Sequence, residues 1–338
     1  MSRLVLSLDG GGIRGAATTQ FLTHVEAALM RAHGKTLRDC VDFYAGTSTG
    51  SIIALALATT DLSIAEINDI YSYERAKDIF NENRGFLEID GINAPKYEGA
   101  GNAKALKDNF GDAKLGDVGA DKHVLAVSYG VERRRPEVLK STYPAHCALA
   151  SWQVANASSA APTYFPTEAL SMPGEADDFW LIDGGVTANN PTMCAIAESI
   201  QAWPEMAIQD LRVLSVGTGY RTRKINGRDS KEWGALQWFT KGHILDVLTD
   251  ERVAAYQAKT IIADGNYIRV NADMRRQAGL PNPPKDAMDD ISHENITRLK
   301  QMGDFWFELY GEAAVALLLG TYEGPSLDRI DADTGLPR

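Results

Sequence analysis

The chain has 338 residues, enough for one large α/β domain or two ordinary ones with a sizeable core. It is 44% apolar and 23% charged with a net charge of −11, which argues against general nucleic-acid binding and against standing attachment to an acidic membrane. Three cysteines, Cys40, Cys147 and Cys194, lack metal-ligand spacing and are expected as buried free thiols of a reducing compartment.

An apolar run rich in β-formers, Arg3 to Leu8, stops at Asp9-Gly10-Gly11-Gly12 and gives way to helical spacing from Ala16 to Arg31. That pattern predicts strand, glycine loop, helix. First-turn N–H groups are unpaired and the helix dipole is positive there, so the loop suits an anion. The anion is either a phosphate or the transient oxyanion of an acyl transfer. The first strand is short and runs straight into Asp9, so no secretory leader is expected, and the apolar run Ser51 to Ala58 is too short to span a bilayer. A cytoplasmic location follows as the default expectation.

A second strand, Cys40 to Ala45, leads into Gly46-Thr47-Ser48-Thr49-Gly50 and a buried helix. This turn spells G-x-S-x-G, in which the serine sits on a sharp bend and the glycines let helix and sheet pack closely. Residues 61–117 read as an insertion beside the sheet, with helical patterns from Ala65 to Lys77, and a source of pocket walls or a lid. His123 to Tyr129 is a strand, and Arg133 to Arg135 form its solvated turn. Ser151 to Ala161 is a helix ending at Pro162.

Phe179 to Ile182 is a strand ending in Asp183-Gly184-Gly185, followed by Asn189-Asn190-Pro191 and a helix to Trp203. Leu211 to Val216 ends in Gly217-Thr218-Gly219. The stretch Arg221 to Trp238 joins Arg221, Arg223, Lys224, Arg228 and Lys231 with two tryptophans, suited to lipid head groups or a small anionic regulator. Helical patterns from His243 to Ala263, a strand at Tyr267 to Val270 and helices from Ser292 to Leu319 complete the chain. The apolar stretch around Phe305, Trp306 and Tyr310 is expected in the core, with a lipid-dipping or homodimer face as the alternative.

Strands alternating with helices predict an α/β fold: a mostly parallel central sheet covered by helices on both faces. Reactive groups in such folds collect at the carboxyl ends of strands, where Asp9, Ser48 and Asp183 fall. One domain over residues 1–338 is expected, with its motifs in 3–219 and a helical portion at 240–320.

Each motif is weak alone. Gly10 to Gly15 matches G-x-G-x-x-G, but a dinucleotide site wants an acidic strand end about twenty residues on, and Gly34 to Arg38 supply none. A Ser-Asp-His triad would draw on His243 or His293, yet both read as helix starts, and His24 and His146 read as structural. Asp9 is expected to pin the glycine loop by hydrogen bonds, and Thr47 and Thr49 to support the serine turn.

Together the motifs resemble the patatin-like phospholipase family. The resemblance rests on Asp9-Gly10-Gly11-Gly12-Ile13-Arg14-Gly15, Gly46-Thr47-Ser48-Thr49-Gly50, Asp183-Gly184-Gly185, the block Ala157 to Pro166 and Asn189-Asn190-Pro191. It implies a three-layer fold and a Ser48–Asp183 dyad. It also implies an oxyanion hole at Gly10, Gly11 and Gly12 with Arg14 beside it, and no metal or cofactor. The implied substrate is a phospholipid met transiently at a membrane surface. Some bacterial members of similar size resemble anti-phage effectors switched on by a cyclic nucleotide, which makes a cyclic dinucleotide a candidate activator. The alternatives are a nucleotide-binding protein using Gly10 to Gly15, or an inactive interaction module.

Overall fold

The computed structural model describes residues 2–80, 94–242, 244, 247 and 249–338. Its strands are β1 (Arg3–Leu8), β2 (Phe43–Thr47), β3 (His123–Gly130), β4 (Arg135–Lys140), β5 (Glu168–Leu170), β6 (Phe179–Asp183), β7 (Leu211–Val216) and β8 (Tyr267–Val270). They form one eight-stranded sheet in the order β5-β6-β3-β2-β1-β7-β8, with β4 also paired to β3. From β3 through β2, β1 and β7 to β8 every pairing is parallel. The antiparallel strands β4, β5 and β6 cluster at the β3 end, so the sheet is mostly parallel as expected.

Alternation along the strands builds three layers. Leu4, Leu6 and Leu8 of β1 and Leu214 and Val216 of β7 join one buried cluster, with the helices Gly15–His33, Thr49–Thr59 and His293–Leu319. Val5, Leu211 and Val213 face the other way, into a second cluster under the helices Thr192–Ala202 and Arg252–Ile261. The C-terminal helix lies on the first one, and a Cβ at Gly303 would overlap the Ala17 carbonyl. Phe305, Trp306 and Tyr310 are buried, which makes the apolar C-terminal stretch core. The three cysteines are free as expected but half-buried rather than buried.

One pairing detail positions the site. Residues 125–127 of β3 pair with β2 on one edge and with β4 on the other. Beyond them Ser128 to Gly130 keep β4, and β6 takes over the edge that β2 has left. β2 and β6 therefore run toward each other along one edge of β3. Thr47 stands opposite Val127, and Asp183 stands opposite Ser128.

Residues 61–80 and 94–117 form helices Ile64–Ile70, Tyr73–Ile79 and Gly99–Phe110, packed beside the sheet. Serines cap two of them: Ser63 accepts from the Glu66 N–H and Ser72 from the Arg75 N–H. His293 opens the C-terminal helix behind its N-cap Ser292. His243 lies outside the described residues.

Candidate active site

Between β2 and the helix Thr49–Thr59 the chain reverses within one residue. Ser48 takes φ 53° and ψ −125°, a conformation unfavourable to a residue with a Cβ. It is held there by its surroundings. A Cβ at Gly46 would overlap the Gly50 carbonyl and one at Gly50 would overlap the Leu8 carbonyl, so both flanking positions admit only glycine. The Ser48 N–H donates to Ser158 Oγ at 3.0 Å, and Ser158 Oγ donates in turn to the Val127 carbonyl at 2.6 Å. Thr47 Oγ1 donates to the Ala188 carbonyl, and Thr49 Oγ1 pairs with the Tyr71 hydroxyl. Both threonines support the turn, as expected.

Asp183 ends β6, and its carboxyl interacts with the Ser48 side chain. Its Oδ1 also accepts the Gly185 N–H at 2.7 Å. Ser48 and Asp183 are 8% and 6% exposed, so the pair is nearly removed from water. Burial pushes the Asp183 carboxyl up to about 6, against the opposing pull of the Ser48 side chain and the Gly185 N–H. A carboxylate so placed is a better base than one in water. Among the described residues no histidine bonds this pair. His24 pairs with Asp304 at 2.7 Å, His146 Nδ1 accepts the Lys140 N–H, and His293 lies against the Tyr73 ring.

The glycine loop borders the same spot. A Cβ on Gly10 would lie 3.2 Å from Ser48 Cβ, and one on Gly185 would lie 3.1 Å from Asp183 Oδ1. The loop's donors are not equivalent, however. The Gly10 N–H is taken by the Asn189 carbonyl at 3.0 Å, so Gly10 is not a free oxyanion donor, contrary to expectation. The N–H groups of Gly11, Gly12 and Thr49 have no acceptor among the described residues. The Thr49 N–H was missed from the sequence, although the motif carries the signal for it, since the residue after such a serine presents its N–H beside the hydroxyl. Further along, the Ile13 N–H is capped by the Met288 carbonyl at 2.9 Å and the Arg14 N–H by the Gly11 carbonyl. A phosphate cradle needs those first-turn donors, and here they are occupied.

The sequence model of the patatin-like phospholipase family matches residues 6–196, spanning the glycine loop, the serine turn and Asp183. The chain belongs to the patatin-like phospholipase family. Patatin-like protein 2 of Oryza sativa subsp. indica is 28% identical over 343 residues, covering 89% of this chain and 82% of the relative. Patatin-like protein 1 of the same plant is 30% identical, covering 89% and 80%, and Patatin-08 of Solanum tuberosum is 26% identical, covering 89% and 82%. Among solved structures, VipD from Legionella pneumophila aligns over 90% of this chain and 67% of its own, with a TM-score of 0.40 and 12% identity.

This patatin-like chain carries a buried ion cluster under its glycine loop that sequence reading missed. Asp9 does not bond the loop amides. Both its oxygens accept from the wholly buried Arg269, which also reaches Ser215 Oγ and Glu251. Glu251 takes a second cation, Arg329, at 3.3 Å. Asp9 thus anchors the loop's entry through β8, and only the odd presence of an arginine among the apolar residues of Tyr267–Val270 hints at it.

Next to the glycine loop and the serine turn of this patatin-like chain, an apolar cavity of about 50 Å³ is lined in part by Gly12, Ile13 and Thr49. Its walls include Ile70, Phe80, Ala105 and Leu106, so the 61–117 insertion supplies pocket walls, as expected. Its lining suits methylene groups rather than a head group. Among the described residues no helix is long and apolar enough to cross a membrane.

Proposed function

We propose that the protein is a serine lipid acyl hydrolase of phospholipase A type, acting on phospholipids at a membrane surface it contacts transiently. The observation that carries this is a buried Asp183 carboxyl of raised pKa set against the side chain of Ser48, itself held on a positive-φ turn. Asp183 takes the Ser48 proton as Oγ attacks the ester carbonyl. Negative charge then develops on the carbonyl oxygen beside the open N–H groups of Gly11, Gly12 and Thr49, and each such donor is worth about 3–4 kcal/mol in a comparable serine hydrolase. Protonated Asp183 returns its proton to the leaving lysophospholipid oxygen. In the second half Asp183 takes a proton from the water that attacks the acyl-enzyme and gives it to Ser48 Oγ as the ester bond breaks, which releases the fatty acid. The apolar cavity supports an acyl chain as the group recognised.

The test is mass-spectrometric detection of free fatty acid and lysophospholipid from phospholipid vesicles. Wild type is expected to produce both, and Ser48→Ala and Asp183→Asn neither. Fatty-acid release surviving Ser48→Ala contradicts the assignment.

Regulation by a cyclic dinucleotide is the second part of the proposal. A cleft of about 690 Å³ supports it, lined by Tyr220, Tyr256 and Lys259 together with Arg252, Arg275 and the carboxylates of Asp273, Asp328 and Asp333, and so offering rings and cations to a phosphate-bearing base. Tyr220 directly follows Gly219, whose carbonyl accepts from Arg14. Hydrolysis that speeds up when a cyclic dinucleotide is added is the expected result, and a rate indifferent to any nucleotide overturns this part.

A further inference from the structure

The strand-end motif Gly217-Thr218-Gly219 has no role in the chemistry above, yet it lies directly against the glycine loop. Thr218 is buried, and its Oγ1 donates to the Gly10 carbonyl at 2.8 Å. The approach is so close that any Cβ on Gly11 would overlap the Thr218 side chain. Gly10 faces Ser48 while Gly11 faces Thr218, so the loop backbone runs between the two hydroxyl residues.

In a trans peptide the C=O and the following N–H point in opposite directions. Fixing a carbonyl therefore aims the next N–H. The Gly10 carbonyl is held by Thr218, which sets the Gly11 N–H. The Gly11 carbonyl is held by the Arg14 N–H at 3.1 Å and by Arg14 Nε at 3.2 Å, which sets the Gly12 N–H. Thr218 itself cannot swing away. The Gly217 carbonyl accepts from Thr18 Oγ1 at 2.9 Å, and the Gly219 N–H is held by Asn271 Oδ1 at 3.0 Å.

We propose that Thr218 is a positioning residue of the oxyanion hole: its hydroxyl, bonded to the Gly10 carbonyl, turns the Gly11 N–H toward the space beside Ser48. A hydrogen bond to a carbonyl also polarises its peptide and strengthens the N–H on the other side. Thr218 thus acts twice on one donor without touching substrate. This inference rests on the hydrolase reading above.

The test compares Thr218→Val, Thr218→Ala and Thr218→Ser on a soluble ester and a phospholipid, with thermal midpoints taken alongside. Losing the hydroxyl misaims one donor, so kcat is expected to fall about tenfold, short of the 10²–10³-fold cost of deleting a donor outright. KM stays within about twofold, because the ground-state carbonyl leans little on that donor. Serine keeps the hydroxyl and is expected to hold kcat within about threefold of wild type. A second readout separates aim from general damage. Inhibition by a trifluoromethyl ketone, which presents a tetrahedral oxyanion on Ser48, weakens in step with kcat, whereas binding of an unreactive ether lipid does not change. If Val fails to fold, the Ala and Ser pair carries the comparison. Equal kcat in Ala and Ser, or a loss confined to KM, overturns the role of Thr218 while wild-type hydrolysis stands. A wild type that neither hydrolyses ester nor binds the ketone overturns the hydrolase reading and this inference together.

Discussion

Ser48 and Asp183 meet because their strands approach head-on along one edge of β3, Thr47 opposite Val127 and Asp183 opposite Ser128. Neither side chain depends on a long loop for its position. Ser158 reinforces the join, taking the Ser48 N–H on one side and donating to Val127 on the other. The pair is thereby fixed by sheet register, a rigid way to hold a carboxyl against a serine hydroxyl.

Asp183→Asn separates activity from stability. As general base the carboxyl must be ionised, so kcat/KM is expected to rise with pH through about 6 and then level. The asparagine variant loses about 10³–10⁴-fold in kcat. The stability effect has the opposite sign. The native carboxyl binds its proton more tightly than the ordinary value of 3.8, so stability falls as pH rises from 3.8 toward about 6. That gap corresponds to at most about 3 kcal/mol. Urea unfolding is expected to find Asp183→Asn more stable than wild type at pH 8, with the difference gone near pH 3.5.

Strain at Ser48 is measurable by comparing two inactive variants. Ser48→Ala and Ser48→Gly both lose the hydroxyl, and only glycine relieves φ 53°. The glycine variant is expected to be about 1 kcal/mol more stable than the alanine variant in denaturant unfolding. Equal stabilities would mean the turn carries no strain.

The buried cluster predicts a large and partly repairable loss. Arg269→Met leaves Asp9 and Glu251 facing each other without their shared cation, which is expected to cost about 3–5 kcal/mol. Adding Asp9→Asn and Glu251→Gln to Arg269→Met removes the stranded charges and is expected to recover more than half of the loss. Urea midpoints of the two variants check this.

Filling the apolar cavity is expected to shorten the acyl preference. Ala105 lines it, and Ala105→Trp is expected to lower hydrolysis of long-chain esters about tenfold while an acetate ester changes less than about twofold. A steady-state comparison of the two esters reads this directly.

Much of this was legible in the sequence, for physical reasons. Three glycines after an apolar run and a G-x-S-x-G turn are local signals, since only glycine fits where Gly50 meets the Leu8 carbonyl. Asp183 was legible as a strand end, but its strand's direction was not, because antiparallel approach to β3 is decided by distant pairing. The same limit applies to Gly10, whose N–H is taken by a carbonyl far along the chain. Arg269 was invisible because a buried arginine is explained only by the two carboxylates that fold around it. The Trp233 and Trp238 rings pack edge to face at 5.5 Å and are half-buried, which composition alone could not decide.

The most direct test is fluorophosphonate labelling of the folded protein, with the modified peptide located by mass spectrometry. Covalent phosphonylation requires an activated serine next to oxyanion donors, the central claim for Ser48. One label is expected, on Ser48, lost in Ser48→Ala and slowed at least about 10²-fold in Asp183→Asn. A folded wild type that leaves Ser48 unlabelled, or an Asp183→Asn variant that labels at the wild-type rate, would contradict the account.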